Sequence, residues 1–337
     1  MGVLDQHPGI IFTGMSRMRV ALLAVLGATA MALPTPAPAS AAQARRTKPP
    51  APPPLQLPAS PLWGVTVDHV SGLKPMLSAL ATLPEPATVR VYFDVNEPAS
   101  YYAAPVAAIA GTGQLMGELL DSSDEQAISV AAMRQRAESY VQALGGDVAI
   151  WEIGNEVNGN WTGDPAAVAE KLDAAYEVVA GAGGRTALTL YENDFAPEHC
   201  GDGEAEPTPL EYARSYVPAS VAAGLDYVLL SYYPTQCDGV EPDAATVAGE
   251  LQELHAIFPH ALLGFGEVGL PRPAKRRTLS QARQIMQWAY SLNPQLPYYA
   301  GGYFWWYGAQ DALRKRAPLR EALAVAFEEE SAALLGA

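Results

Sequence analysis

Short apolar runs rich in β-branched and aromatic residues alternate with longer segments of helical period, eight times over, between Leu62 and residue 330. Strand–helix alternation predicts parallel sheet with helical crossovers. Eight such units match the size of a closed (β/α)8 TIM barrel of the α/β class, typically about 250 residues. A doubly wound open sheet usually carries fewer units. The expectation is therefore one barrel domain over residues 62–330, with a short tail over 331–337.

The chain before the barrel reads differently. Arg17 and Arg19 precede an apolar run from Val20 to Leu33, and small residues follow at Ala39-Ser40-Ala41 and Ala42-Gln43-Ala44. That order is the pattern of a secretory signal peptide. The run is shorter than the ~20 residues a membrane span needs, so no stable membrane anchor is expected. Residues 1–44 are read as an extension plus signal peptide, which implies a secreted protein. Residues 45–61 (RRTKPPAPPPLQLPASP) are proline-dense, which makes an extended spacer rather than core.

The eight expected strands are Trp63–Asp68, Thr88–Asp94, Gln114–Leu120, Val148–Gly154, Thr186–Tyr191, Tyr227–Tyr232, Leu262–Glu267 and Gly302–Trp306. Helices are expected at Val130–Ala143, Pro165–Ala180 and Ser280–Ser291, among others. In the last of these, Ala282, Ile285, Met286 and Ala289 fall on one face. Gly145-Gly146 and Gly183-Gly184 stop two helices ahead of the next strand.

Composition removes several functions. Hydrophobic residues make up 49% and charged residues 17%, which is globular material. A net charge of -15 repels phosphate backbones, so nucleic acid is not expected as a partner. Two cysteines without CxxC and five histidines without HExxH support neither a metal site nor a thiol redox motif. No metal and no cofactor is expected. Gly264-Phe265-Gly266-Glu267-Val268-Gly269 spells GxGxxG, but Leu270-Pro271-Arg272-Pro273 follows and cannot open the helix a dinucleotide fingerprint requires. No GxSxG elbow occurs.

Barrel chemistry sits at the C-terminal strand ends. In order these ends offer Asp68-His69, Asp94, Glu118 with Asp121, Asn155-Glu156, Glu192-Asn193-Asp194, Tyr232-Tyr233, Glu267 and Trp305-Trp306. Glu156 and Glu267 stand out because each closes an otherwise apolar strand, where a carboxylate is costly unless paired or used. Strands four and seven lie three apart in a ring of eight, so the two carboxyls face each other. Such a pair is the equipment of glycoside hydrolysis. A non-catalytic carbohydrate-binding barrel is the alternative reading, and a dinucleotide-dependent oxidoreductase the remoter one.

Arg90, Asn155-Glu156, Tyr233, Glu267 and Trp305 or Trp306, in this order along the chain, resemble clan A of the glycoside hydrolases, the retaining (β/α)8 enzymes. The resemblance implies Glu156 as acid/base and Glu267 as nucleophile. It implies Asn155 as the partner of the sugar 2-hydroxyl, Arg90 and Tyr233 as partners of Glu267, and Trp305 as the floor of the sugar site. Arg90 is equally readable as a structural partner of Glu152. Asp68, His69, Asp94 and Asp194 are expected to line the substrate cleft, and the substrate to be a polysaccharide or oligosaccharide bound by a monomer. Ser231 stands where many clan members carry His. Ser231-Tyr232-Tyr233-Pro234 is similar to the endo-β-1,4-galactanases of the clan, a likeness that Thr235-Gln236-Cys237 does not continue. Cys200 and Cys237 fall in the loops after strands five and six, which for an exported protein suggests a disulfide, with two free thiols as the alternative.

Overall fold

The computed structural model describes residues 61–196, 200 and 207–335. The expected signal peptide and nearly all of the proline-rich segment lie outside the described residues. Eight parallel strands close into a barrel in sequence order. They are β1 (Leu62–Val67), β2 (Thr88–Tyr92), β3 (Gln114–Glu118), β4 (Ile150–Gly154), β5 (Arg185–Tyr191), β6 (Tyr227–Tyr232), β7 (Leu262–Val268) and β8 (Gly301–Trp305). The ring closes through Leu62 opposite Gly301. The (β/α)8 fold is as the alternation predicts, with strand ends moved by a residue or two.

Helices cover the outside. Val130–Leu144 starts at Ser129, whose hydroxyl accepts the Ala132 N–H. Pro165–Gly181 starts at Asp164, which accepts from Ala166 N, with proline at the first helical position. Both starts satisfy donors that the first turn leaves free. The last described element is the helix Arg320–Leu335. Residues 331–335, expected as tail, therefore belong to this helix.

Side chains alternate across each strand. Val89, Val91, Trp151, Ile153, Leu188 and Leu190 point outward into the apolar layer shared with the helices. Leu62, Met116, Ile150, Tyr227, Leu229 and Leu262 form a second apolar cluster. On the same alternation, Arg90, Glu118, Glu152 and Thr189 point into the barrel and are fully or nearly fully buried. Glu118 and Glu152 are register partners across β3 and β4, and Arg90 lies opposite Met116 across β2 and β3. Sequence order thus stacks an apolar plug beneath a charged layer.

The GxGxxG glycines lie within and just past β7. A Cβ on Gly264 would sit 2.3 Å from the Gly301 carbonyl oxygen, and one on Gly266 would sit 2.8 Å from Thr189. Gly264 lets the neighbouring strand β8 approach and Gly266 leaves room for Thr189 of β5 inside the barrel, so these glycines do not shape a phosphate-binding turn.

Candidate active site

The C-terminal ends of β2, β3, β4, β6 and β7 converge on one buried charge network. The Glu267 carboxylate accepts from Asn155 Nδ2 at 3.0 Å and from the Tyr233 hydroxyl at 2.7 Å. It also pairs with an Arg90 nitrogen at 2.8 Å. Arg90 further donates to Glu152 at 2.5 Å and lies 3.1 Å from Glu118. Arg90 is therefore both the structural partner of Glu152 and a direct partner of Glu267. The two sequence readings of it are one arrangement.

Glu156 is held by different groups. Its carboxyl accepts from the Ser231 hydroxyl and, at 3.3 Å, from the Ser122 hydroxyl. Its backbone has φ 45°, a left-handed conformation that is uncommon for a residue with a Cβ. Ser122 N also donates to Asn155 Oδ1 at 3.1 Å. The short turn that carries Ser122 spans Ser122–Ala127 and is capped by Asp121. Glu125 of this turn pairs with Lys171 of the helix Pro165–Gly181 at 2.8 Å, with both groups buried. Breaking such a pair typically costs about 3–5 kcal/mol, so the turn is firmly placed.

Arg90 therefore pairs with three buried carboxyls, Glu118, Glu152 and Glu267, and Glu156 lies beside them without an ion pair of its own among the described contacts. Desolvation disfavours their charged forms. Burial first, then the neighbouring Glu267 charge, pushes the Glu156 carboxyl up to about 8. Burial also drives Glu118 well above the usual carboxylate range, against the pull of Arg90. Burial raises Glu267 as well, but there Arg90 and the Tyr233 hydroxyl oppose it. Burial raises both carboxyls, but Glu267 is the one surrounded by donors, with Arg90 and Tyr233 opposing the shift.

The other expected residues fall in several places. Trp306 lies at the mouth, its ring centroid 5.3 Å from the Arg90 guanidinium carbon and 6.1 Å from the Tyr92 ring. Trp305 does not reach the mouth. It is fully buried in the outer layer, and its indole N–H donates to Asp311 at 3.0 Å. The floor role expected of Trp305 is therefore corrected: strand alternation turns it toward the helices. Asp68 accepts from Gln310 at 2.7 Å, and His69 Nδ1 lies 2.8 Å from the Ser71 hydroxyl. Asp94 folds back onto the Asn96 amides, and Asp194 is exposed, its N–H donating to Glu192. None of these four makes a hydrogen bond to Glu156 or Glu267 among the described contacts. Cys200 and Cys237 form a disulfide.

Ser122 and Ser231 were missed as partners of Glu156. Ser231 had a signal, since its strand alternation points it inward one register step before Tyr232. Ser122 had none, because it comes from a turn whose path depends on Lys171, about 50 residues away.

No protein-family profile matches the chain, and no curated protein matches it in sequence. Solved structures match its fold. A GH5_18 protein from Streptomyces cattleya in complex with Manβ1-4GlcNAc superposes with TM-score 0.53 at 16% identity, over 81% of each chain. A GH10 xylanase from Bispora sp. MEY-1 with xylobiose gives TM-score 0.50 at 13% identity, over 72% of this chain and 82% of that one. The chain therefore shares the barrel fold of these two solved structures. Among the described residues no helix is long and apolar enough to cross a membrane.

Proposed function

We propose that the protein is a secreted retaining glycoside hydrolase that cleaves O-glycosidic bonds in a polysaccharide or oligosaccharide. The observation that carries the reading is the unequal treatment of two facing carboxyls. Glu267 is surrounded by Arg90, Asn155 and Tyr233 donors, whereas burial and a neighbouring negative charge push Glu156 toward its protonated form. Environments that push two carboxyls apart assign the acid and the base of a reaction.

In the first step a Glu267 oxygen attacks the anomeric carbon. The bond from that carbon to the glycosidic oxygen breaks, and Glu156 gives its proton to the departing oxygen. In the second step Glu156, now a carboxylate, takes a proton from water. The water oxygen bonds to the anomeric carbon and Glu267 leaves as carboxylate. Tyr233 and Arg90 hold Glu267 in line and stabilise its carboxylate before it attacks and again as it leaves. The second Asn155 amide proton remains available to the sugar 2-hydroxyl. Trp306 offers the apolar face against which a pyranose C–H face can rest. Export fits the leader-like N-terminus and the disulfide.

The test is hydrolysis of a panel of aryl glycosides and polysaccharides by the mature protein, with Glu156→Gln and Glu267→Gln alongside. Mannosides and xylans are natural first members, given the ligands of the two similar folds. Loss of nearly all activity in both variants supports the reading. Full activity in either one refutes the site, and glycan binding without cleavage by wild type would make the barrel a binding protein.

A further inference from the structure

We propose that the loop after β7 forms a binding subsite for an anionic group on the glycan, a carboxylate or a sulfate ester. The inference rests on reading the mouth as a glycan cleft. Arg272, Lys275, Arg276 and Arg277 fall within six residues of a chain that carries 21 cations against 36 acids. All four are exposed, and none makes an ion pair among the described contacts. Arg272, Lys275 and Arg277 line a surface cavity of about 220 Å³ together with Thr235, Leu270, Thr278 and Gln281. The Thr235 hydroxyl is buried there without a hydrogen-bond partner.

The backbone beneath these cations is fixed. Ala274 N donates to both oxygens of Asp311, at 3.0 and 3.1 Å. Lys275 N donates to the Thr278 hydroxyl at 3.0 Å, and Thr278 N donates back to the Lys275 carbonyl at 2.8 Å. Pro271 and Pro273 restrict the remainder. The held backbone spares the loop its own ordering cost on binding an anion, which leaves only the rotamer freedom of the cationic side chains to be lost. The 13-residue helix Leu279–Ser291 also begins at the cavity, at Thr278, without a side-chain cap. Its positive end adds to the same field.

Position ties the cavity to the reaction. Leu270 follows Glu267 by three residues, and Thr235 follows Tyr233 by two. A Cβ on Gly269 would lie 3.7 Å from both Trp306 and Tyr233, so the start of the loop borders the cleft. Asp94, Asp121 and Asp124 lie together on the opposite, β2–β3 side, where burial, and after it the charges of Asp121 and Asp94, raise Asp124. An anionic sugar is repelled there and drawn toward β7, which sets one direction for the chain across the mouth.

The experiment is retention in affinity gels containing polygalacturonate, carrageenan or a neutral xyloglucan. It compares wild type, Arg272→Ala/Lys275→Ala/Arg277→Ala, and a control with Lys315→Ala/Arg316→Ala. Because the readout is binding, it stands or falls apart from any failure to find hydrolysis. Wild type is expected to be retained by an anionic polymer, and the triple variant to bind at least about tenfold more weakly with an unchanged melting curve. The control should match wild type. Retention by polygalacturonate names a carboxylate as the group, and retention by carrageenan alone names a sulfate ester. No retention of wild type by either anionic polymer overturns the proposal. So does equal retention of the triple variant, or an equal loss in the control.

Discussion

Replacing Arg90 by Met removes the one cation of the buried network while keeping side-chain volume. Arg90 pairs with Glu267, Glu118 and Glu152 at 2.5–3.1 Å, and all four side chains are buried. Removing one partner of a buried ion pair costs about 3–5 kcal/mol, because the other partner is left charged and desolvated. Here three carboxyls lose their counter-charge, although protonation can absorb part of the cost. For a domain of this size each kcal/mol moves the melting temperature by roughly 2–4 °C. The variant should therefore melt roughly 6–20 °C below wild type near pH 8. The sign with pH follows. Glu118 and Glu156 have folded values above those of the unfolded chain. Their contribution is full below the unfolded value of about 4.5 and is lost as pH rises through the folded values. Without Arg90 the folded values rise further, so the gap to wild type should narrow toward pH 5. Calorimetric melts at pH 5 and 8 measure this directly. A variant within about 1 kcal/mol of wild type at both pH values would refute the reasoning that Arg90 neutralises the network.

Other expectations follow from the same contacts. Activity should fall as pH climbs through about 8, where Glu156 loses its proton. The Ser231 hydroxyl lowers that value, so Ser231→Ala should move the alkaline limb upward while costing roughly tenfold or less in kcat; an unmoved limb in a pH–rate profile would deny the contact its role. Trp306→Ala should raise KM with little effect on folding. Trp305→Phe, which loses the Asp311 hydrogen bond, should lower the melting temperature with KM unchanged, and kinetics plus melts separate the two. Reducing the Cys200–Cys237 bond, which joins positions 37 residues apart, should destabilise by roughly 2–4 kcal/mol, read from urea unfolding with and without reductant.

The fold is legible in the sequence because period and punctuation repeat eight times, so an error of a residue or two at any strand end does not change the count. The positions of Asn155, Glu156, Glu267 and Tyr233 are legible because each sits at or close to a strand end, and ring order then dictates which ends meet, while Arg90 is legible as a cation inside an otherwise apolar strand. Glu118 was visible only as a strand-end acid, because its pairing with Arg90 depends on the β2–β3 register. Trp305 and Trp306 could not be told apart, since adjacent residues point oppositely and one residue of uncertainty in the end of β8 inverts them. Ser122 was illegible because its place is set by a distant buried pair, Glu125–Lys171. The final helix ran past the expected boundary because the alanine-rich end of the chain carries no stop residue before Gly336.

Intact-protein mass spectrometry after incubation with 2-deoxy-2-fluoro glycosides bearing an activated leaving group tests the central claim most directly. Such sugars slow the second step more than the first and so accumulate the glycosyl-enzyme. For a sugar the enzyme accepts, the account predicts a single fluoroglycosyl adduct, mapped by peptide digestion to Glu267 and absent in Glu267→Gln. An adduct on Glu156 or elsewhere, or hydrolysis of the parent glycoside with inversion and no adduct, would contradict it.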